Sequence, residues 1–173
     1  MYPTFLQWNR LRQRQEFIFQ AARQGPCVGV VDGTSSLLVA PAGFEVRTID
    51  GANTKTRDEV FDAFAAAWHF PPWFGRNMDA FDDFMRDLDN MINTASGKPP
   101  APGYLTQITD AQLILPDQPD AFSWFAGCMP FYRDYYRDEA SPSAAFGLIL
   151  SAPDDQVDEV RARWLKPTSR SQR

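Results

Sequence analysis

Two consecutive prolines, Pro71 and Pro72, sit between two stretches of helical apolar spacing and fix where the chain must break. An imide donates no hydrogen bond and biases the preceding residue away from helical backbone, so the upstream helix has to stop before Pro71. The turn Phe70-Pro-Pro-Trp-Phe-Gly75 then feeds into Arg76-Asn-Met-Asp-Ala-Phe-Asp-Asp-Phe-Met-Arg-Asp-Leu88. Asn77 is a good N-cap and Asp79 in the first turn suits the helix dipole, which predicts a helix from about Asn77 to Asn90. Met78, Phe81, Met85, Leu88 and Ile92 recur at intervals of three and four and form its buried stripe. Asp79, Asp83, Asp87 and Asn90 fall on the opposite face.

The rest of the chain reads as strands alternating with helices. Phe5 to Gln24 predicts one or two helical segments, stopped by Gly25-Pro26. Cys27-Val-Gly-Val-Val31 and Leu37-Leu-Val-Ala40 are strand-like and are expected to pair as a hairpin. Phe44 to Ile49 alternates apolar and polar residues and ends at Asp50-Gly51, a half-buried strand. Thr56-Arg-Asp-Glu59 is a capping box opening a helix with Val60, Phe61, Phe64, Ala67 and Trp68 on one face. Residues 94–103 form a Pro/Gly/Ser loop. A strand is expected within Leu105 to Leu115, best placed at Ala111 to Leu115, and a long helix at Asp120 to Asp138, where Gly127 and Pro130 could bend it. A buried strand at Ala144 to Leu150 and a closing helix at Asp154 to Trp164 complete the order. The expected fold is α/β: a small three-stranded, mostly parallel sheet covered by helices, with an N-terminal α/β-hairpin extension. Residues 1–43 make the extension, 44–153 the main domain, and 154–173 a short helix and loose basic tail.

Composition narrows the function classes. The chain has 173 residues and a net charge of −5, which argues against a general nucleic-acid binder. Arg57 to Asn90 alone carries eight acids against three bases, whereas both ends of the chain lean basic. Cys27 and Cys128 are far apart and suggest neither a disulfide framework nor a zinc site. No apolar run approaches the ~20 residues of a membrane span and no secretory signal is evident, so the expected compartment is the cytoplasm.

Catalytic chemistry is sparse. The one histidine, His69, lies beside aromatics with no nucleophile motif near it, and the Gly25, Gly29, Gly33 spacing is not a phosphate loop. Asp79, Asp82 and Asp83 could hold Mg²⁺ or Ca²⁺, but Asp82 points away from the Asp79–Asp83 line and no second cluster accompanies them. Neither enzyme activity, cofactor nor metal is expected. The competing explanation for the acids is plain solvation of a surface helix. Against it, Asp is a poor helix former, and the i,i+4 pairs Asp79/Asp83 and Asp83/Asp87 each cost about 0.2–0.5 kcal/mol. Arg86 can relieve Asp82 and Asp83. A basic protein partner explains the row of acids better.

The stretch Trp73-Phe-Gly-Arg-Asn-Met-Asp-Ala-Phe-Asp-Asp83 resembles the aromatic-aromatic-Gly-x-Asn-Leu-Asp-Ala-Leu-x-Asp signature of barstar-type ribonuclease inhibitors. Ile49-Asp-Gly51, the capped helix and the Phe70-Pro71 turn fall where that family has them, and the resemblance runs from about Phe44 to Ser151. It implies an intracellular, monomeric protein that plugs the active site of a basic guanyl-type ribonuclease or a nuclease-like toxin, with no direct contact to nucleic acid or membrane. By that resemblance Asp83 enters the nuclease's phosphate pocket and Asp79 engages its basic cleft wall. Gly75, Asn77, Met78 and Ala80 shape the adjoining loop and helix start, and Trp73 supplies an aromatic contact. Asp82 stands where the family archetype has Trp, Phe84 replaces a Cys, and Asp134, Asp138 and Glu139 are candidates for a later acidic contribution. The alternative is a barstar-like module that binds a basic partner other than a nuclease.

Overall fold

A computed structural model of the chain describes residues 27–33, 40–87 and 101–168. Four strands are described: β1 (Val28–Asp32), β2 (Glu45–Asp50), β3 (Gly103–Thr109) and β4 (Ala145–Ala152). The four helices are α1 (Arg57–Ala67), α2 (Met78–Arg86), α3 (Pro119–Asp138) and α4 (Val157–Thr168). The strands form one sheet in the order β1-β4-β3-β2, and every neighbouring pair is parallel.

This corrects the expected three-stranded sheet. β1 is a member of the main sheet rather than part of a separate extension. It lies beside β4, with Val28 opposite Leu148 and Val30 opposite Leu150. Parallel pairing needs a long crossover rather than a tight turn, and local alternation of residues cannot distinguish the two. The expected helices within 5–24, and most of the second hairpin strand, lie outside the described residues.

The expected strand at 111–115 is also corrected. The strand is Gly103–Thr109, and Ala111–Leu113 is a short 3-10 turn. Asp110 and Leu115 both have left-handed backbone, with φ of 48° and 47°, which no strand accommodates. Ala111, Ile114 and Leu115 are nonetheless fully buried. Their apolar run reports burial, not extended backbone. The strand lies at the start of the expected 105–115 range and not at its apolar end, because it carries Thr106 and Gln107 in its centre. Thr106 is buried there because the Trp68 indole Nε1 donates to its hydroxyl at 3.1 Å.

Local signals decide the helix ends. Thr56 Oγ1 accepts from the Glu59 amide at 3.3 Å, and the Glu59 carboxylate accepts from the Thr56 amide at 2.9 Å, which closes the capping box of α1. α3 runs unbroken through Pro130. On the helical side of the sheet, Tyr104, Ile108, Phe146, Leu148 and Leu150 meet Phe61, Phe64, Trp68, Phe81, Phe125 and Tyr136 in one core. Burying a side chain of this size contributes about 1.5–3 kcal/mol. Leu105 and Ile149 point to the other side, in a smaller cluster with Val31, Ala40 and Phe44. Gly51 is required where β2 ends, since a Cβ there would lie 2.4 Å from the carbonyl oxygens of Thr109 and Asp110.

Candidate protein-binding face

The Pro71-Pro72 turn is held from beneath by aromatic rings. The Phe74 amide donates to the Pro71 carbonyl at 2.9 Å and closes the turn. Phe70 and Phe74 are half-buried, 5.1 Å apart between ring centroids, and both rings pack against Phe84 of α2. His69 and Arg76 bracket the turn in left-handed conformation, with φ of 56° and 49°. Such backbone costs a non-glycine residue about 1–2 kcal/mol, which the ring packing has to offset. Trp73, at the apex, is 76% exposed. His69 is exposed as well.

The helix start is organised by Asn77. Its Oδ1 accepts from the Ala80 amide at 2.9 Å and its Nδ2 donates to the Gly75 carbonyl at 3.3 Å. A Cβ on Gly75 would sit 3.0 Å from that same Nδ2, so a larger residue would crowd the cap. Phe81 and Met85 anchor α2 from its inner side. Met78 does not belong to the buried stripe: as the first helical residue it projects past the core and is exposed. The helix ends at Arg86, short of the expected Asn90, and Leu88, Asn90 and Ile92 lie outside the described residues.

The three aspartates of α2 sit in different surroundings. Asp79 is exposed and has no ion pair among the described residues. Asp83 is 76% exposed and lies 3.2 Å from the Arg86 guanidinium. Asp82 is only 29% exposed and pairs more closely with Arg86, at 2.6 Å. Arg86 thus relieves both neighbours, as its spacing predicts. Its guanidinium also faces the rings of Phe131 and Tyr135 on α3, 5.5 Å from each centroid. A second tie between the two helices comes from the inner face of α3, where the Tyr136 hydroxyl donates to the Met85 carbonyl at the end of α2. Burial pushes the Tyr136 phenol well above its ordinary range.

Near the end of α3 the aspartates are compensated by arginines of the same helix. Asp134 pairs with Arg133 at 2.9 Å and with Arg137 at 3.3 Å. Asp138 pairs with Arg137 at 2.6 Å, and that hydrogen bond holds its carboxyl below the usual range. Glu139 caps the end of the helix through its amide. Among the described residues no group of His, Cys, Asp or Glu side chains could hold a metal ion, and no helix is long and apolar enough to cross a membrane. Phe131 is the residue that sequence reasoning missed. It falls off the buried stripe of α3 yet is a large aromatic, and that mismatch was its visible signal.

Comparison with known proteins supplies a family and a fold. A family model described as Barstar (barnase inhibitor) matches residues 44–146, which include β2, α1, the turn, α2, β3, the whole of α3 and the first two residues of β4. No curated protein matches the chain. Two solved structures of the Aeropyrum pernix ORC2 protein, an ADP form and ADPNP–ADP complexes, resemble it in fold at 10% identity each, with TM-scores of 0.54 and 0.52. The matches cover 97% and 93% of this chain but 47% and 46% of those chains, so it spans about half their length. At this identity the likeness speaks for the fold alone. It agrees with an α/β arrangement larger than a three-stranded sheet.

Proposed function

The chain belongs to the barstar family, and on that premise we propose that it is a protein inhibitor that blocks the active site of a basic guanyl-type ribonuclease. The observation that carries this reading is the pair Asp79 and Asp83. Both are exposed on one face of a helix whose inner side is locked by Phe81 and Met85, beside an exposed Trp73. A ribonuclease groove is built to hold phosphate. Carboxylates fixed one helical turn apart can take the place of phosphate oxygens and accept charge-assisted hydrogen bonds from its cationic side chains.

In this reading Asp83 enters the anion pocket and Asp79 meets the cleft wall. Trp73, Gly75, Asn77, Met78 and Ala80 form the surrounding contact surface. Rigidity matters because a preordered helix loses little freedom on binding. Exposed charges also speed encounter and are screened by salt, so association should weaken as ionic strength rises.

The test is RNA cleavage by a panel of guanyl-type ribonucleases, barnase among them, titrated with the purified chain. At least one nuclease should be inhibited stoichiometrically, and Asp83→Ala should weaken inhibition strongly. Undiminished cleavage across the panel would remove the nuclease as partner. The second reading, a module for a basic partner that is not a nuclease, is favoured by one observation: Asp82 and the α3 acids are engaged by the chain's own arginines. Capture of such a partner, lost with Asp83→Ala, would decide for it.

A further inference from the structure

We propose that Phe131 is an apolar anchor for the same partner, so that the partner presents an apolar patch opposite α3, next to the basic groove that takes Asp83. This rests on the inhibitor reading above. Among the described residues four large apolar side chains are exposed: Val46, Trp73, Met78 and Phe131. Val46 lies on the edge strand β2. The other three border the carboxylates. Trp73 is in the turn before α2, Met78 precedes Asp79, and Phe131 is joined to Asp83 through one guanidinium, 5.5 Å from the ring and 3.2 Å from the carboxylate.

The core does not ask for an aromatic at this position. α3 faces inward with Phe125, Met129, Tyr132 and Tyr136, and Phe131 stands off that line, 49% exposed. Nor does α3 offer much charge, because Asp134 and Asp138 are both paired with arginines of their own helix. The face therefore divides: negative charge on α2, an aromatic surface on α3. Aromatic anchors surrounded by compensated charge are what concentrates binding energy in protein interfaces. Arg86 acts as a positioning residue. Two rings and two carboxylates hold its guanidinium, and through it the end of α2 keeps its distance from Phe131.

The experiment measures the affinity of the full chain, Asp83→Ala, Phe131→Ala and Phe131→Glu for a guanyl-type ribonuclease that the wild-type chain captures, at low and high salt. Phe131→Ala should weaken binding by more than about fivefold at both salt concentrations. Phe131→Glu should weaken it at least as much, with the unfolding midpoints of both variants unchanged. A loss of fivefold or less in Phe131→Ala, with Asp83→Ala still strongly weakened, overturns the anchor and leaves the inhibitor reading standing. Binding by Phe131→Glu as tight as wild type or tighter also overturns it, since the site would then want charge. Capture of no ribonuclease by the wild-type chain removes the inhibitor reading, and the anchor with it.

Discussion

Helices α2 and α3 both present aspartates to solvent, and the two sets differ in what answers them. On α3, Arg133 and Arg137 satisfy Asp134 and Asp138 from neighbouring positions of the same helix. On α2 a single arginine, Arg86, serves Asp82 closely and Asp83 loosely, and Asp79 receives nothing among the described residues. Exposed ion pairs contribute little to stability, about 0–1 kcal/mol, so neither arrangement is explained by folding alone. The difference lies in availability. The last turns of α3 carry Asp134 and Asp138 in a self-contained form, and α2 leaves two aspartates open to a partner.

The comparison depends on α3 acting as the support against which α2 is held, and it can be broken at that seam. Phe81 touches Phe61, Phe64, Trp124 and Phe125, so Phe81→Ala should cost about 3–5 kcal/mol in denaturant unfolding. A smaller loss would mean that the α2–α3 seam is not where the binding face gains its rigidity. Tyr136→Phe removes the donor to the Met85 carbonyl and should cost about 1–3 kcal/mol, because that buried acceptor is left unmet. Arg86→Met should cost about 1 kcal/mol while leaving the helices folded. An unchanged unfolding midpoint would show that the guanidinium does not bridge them.

A last effect concerns pH. Burial pushes the thiols of Cys27 and Cys128 from the ordinary 9.0 up to about 11. Below pH 9 the thiols stay protonated in folded and unfolded chains alike. Between 9 and 11 the unfolded chain releases its protons first, so stability should fall as pH rises through that window. Denaturant unfolding at pH 8 and pH 10 checks this, and the Cys27→Ala, Cys128→Ala double variant should show a shallower fall. An equal fall in both proteins would assign the slope to other groups.

Much of the candidate site was legible because its signals are local. The Thr56 box, the Asn77 cap, the Pro71-Pro72 break and the Phe81/Met85 stripe all act over a few residues, and each is found where the sequence places it. Arg86's pairing with Asp82 and Asp83 followed from spacing of three and four. What sequence reading misplaced depends on distant partners. β1 needs β4, well over a hundred residues away, before it can be seen as the fourth strand. β3 reads as polar until Trp68 answers Thr106. Met78 has the right spacing for the core but stands where α2 extends beyond it.

The central claim, that the open acids of α2 bind the partner and the closed acids of α3 do not, is tested by one pairwise measurement. The dissociation constant for a captured guanyl-type ribonuclease is compared between Asp79→Ala/Asp83→Ala and Asp134→Ala/Asp138→Ala. Removing one member of an interfacial charge pair costs about 2–5 kcal/mol, a general range to which the barnase–barstar pair itself contributed, so the α2 variant should bind at least about 100-fold more weakly. The α3 variant should stay within about threefold of the unmodified chain. Equal losses in the two variants, or a larger loss on α3, would contradict the account.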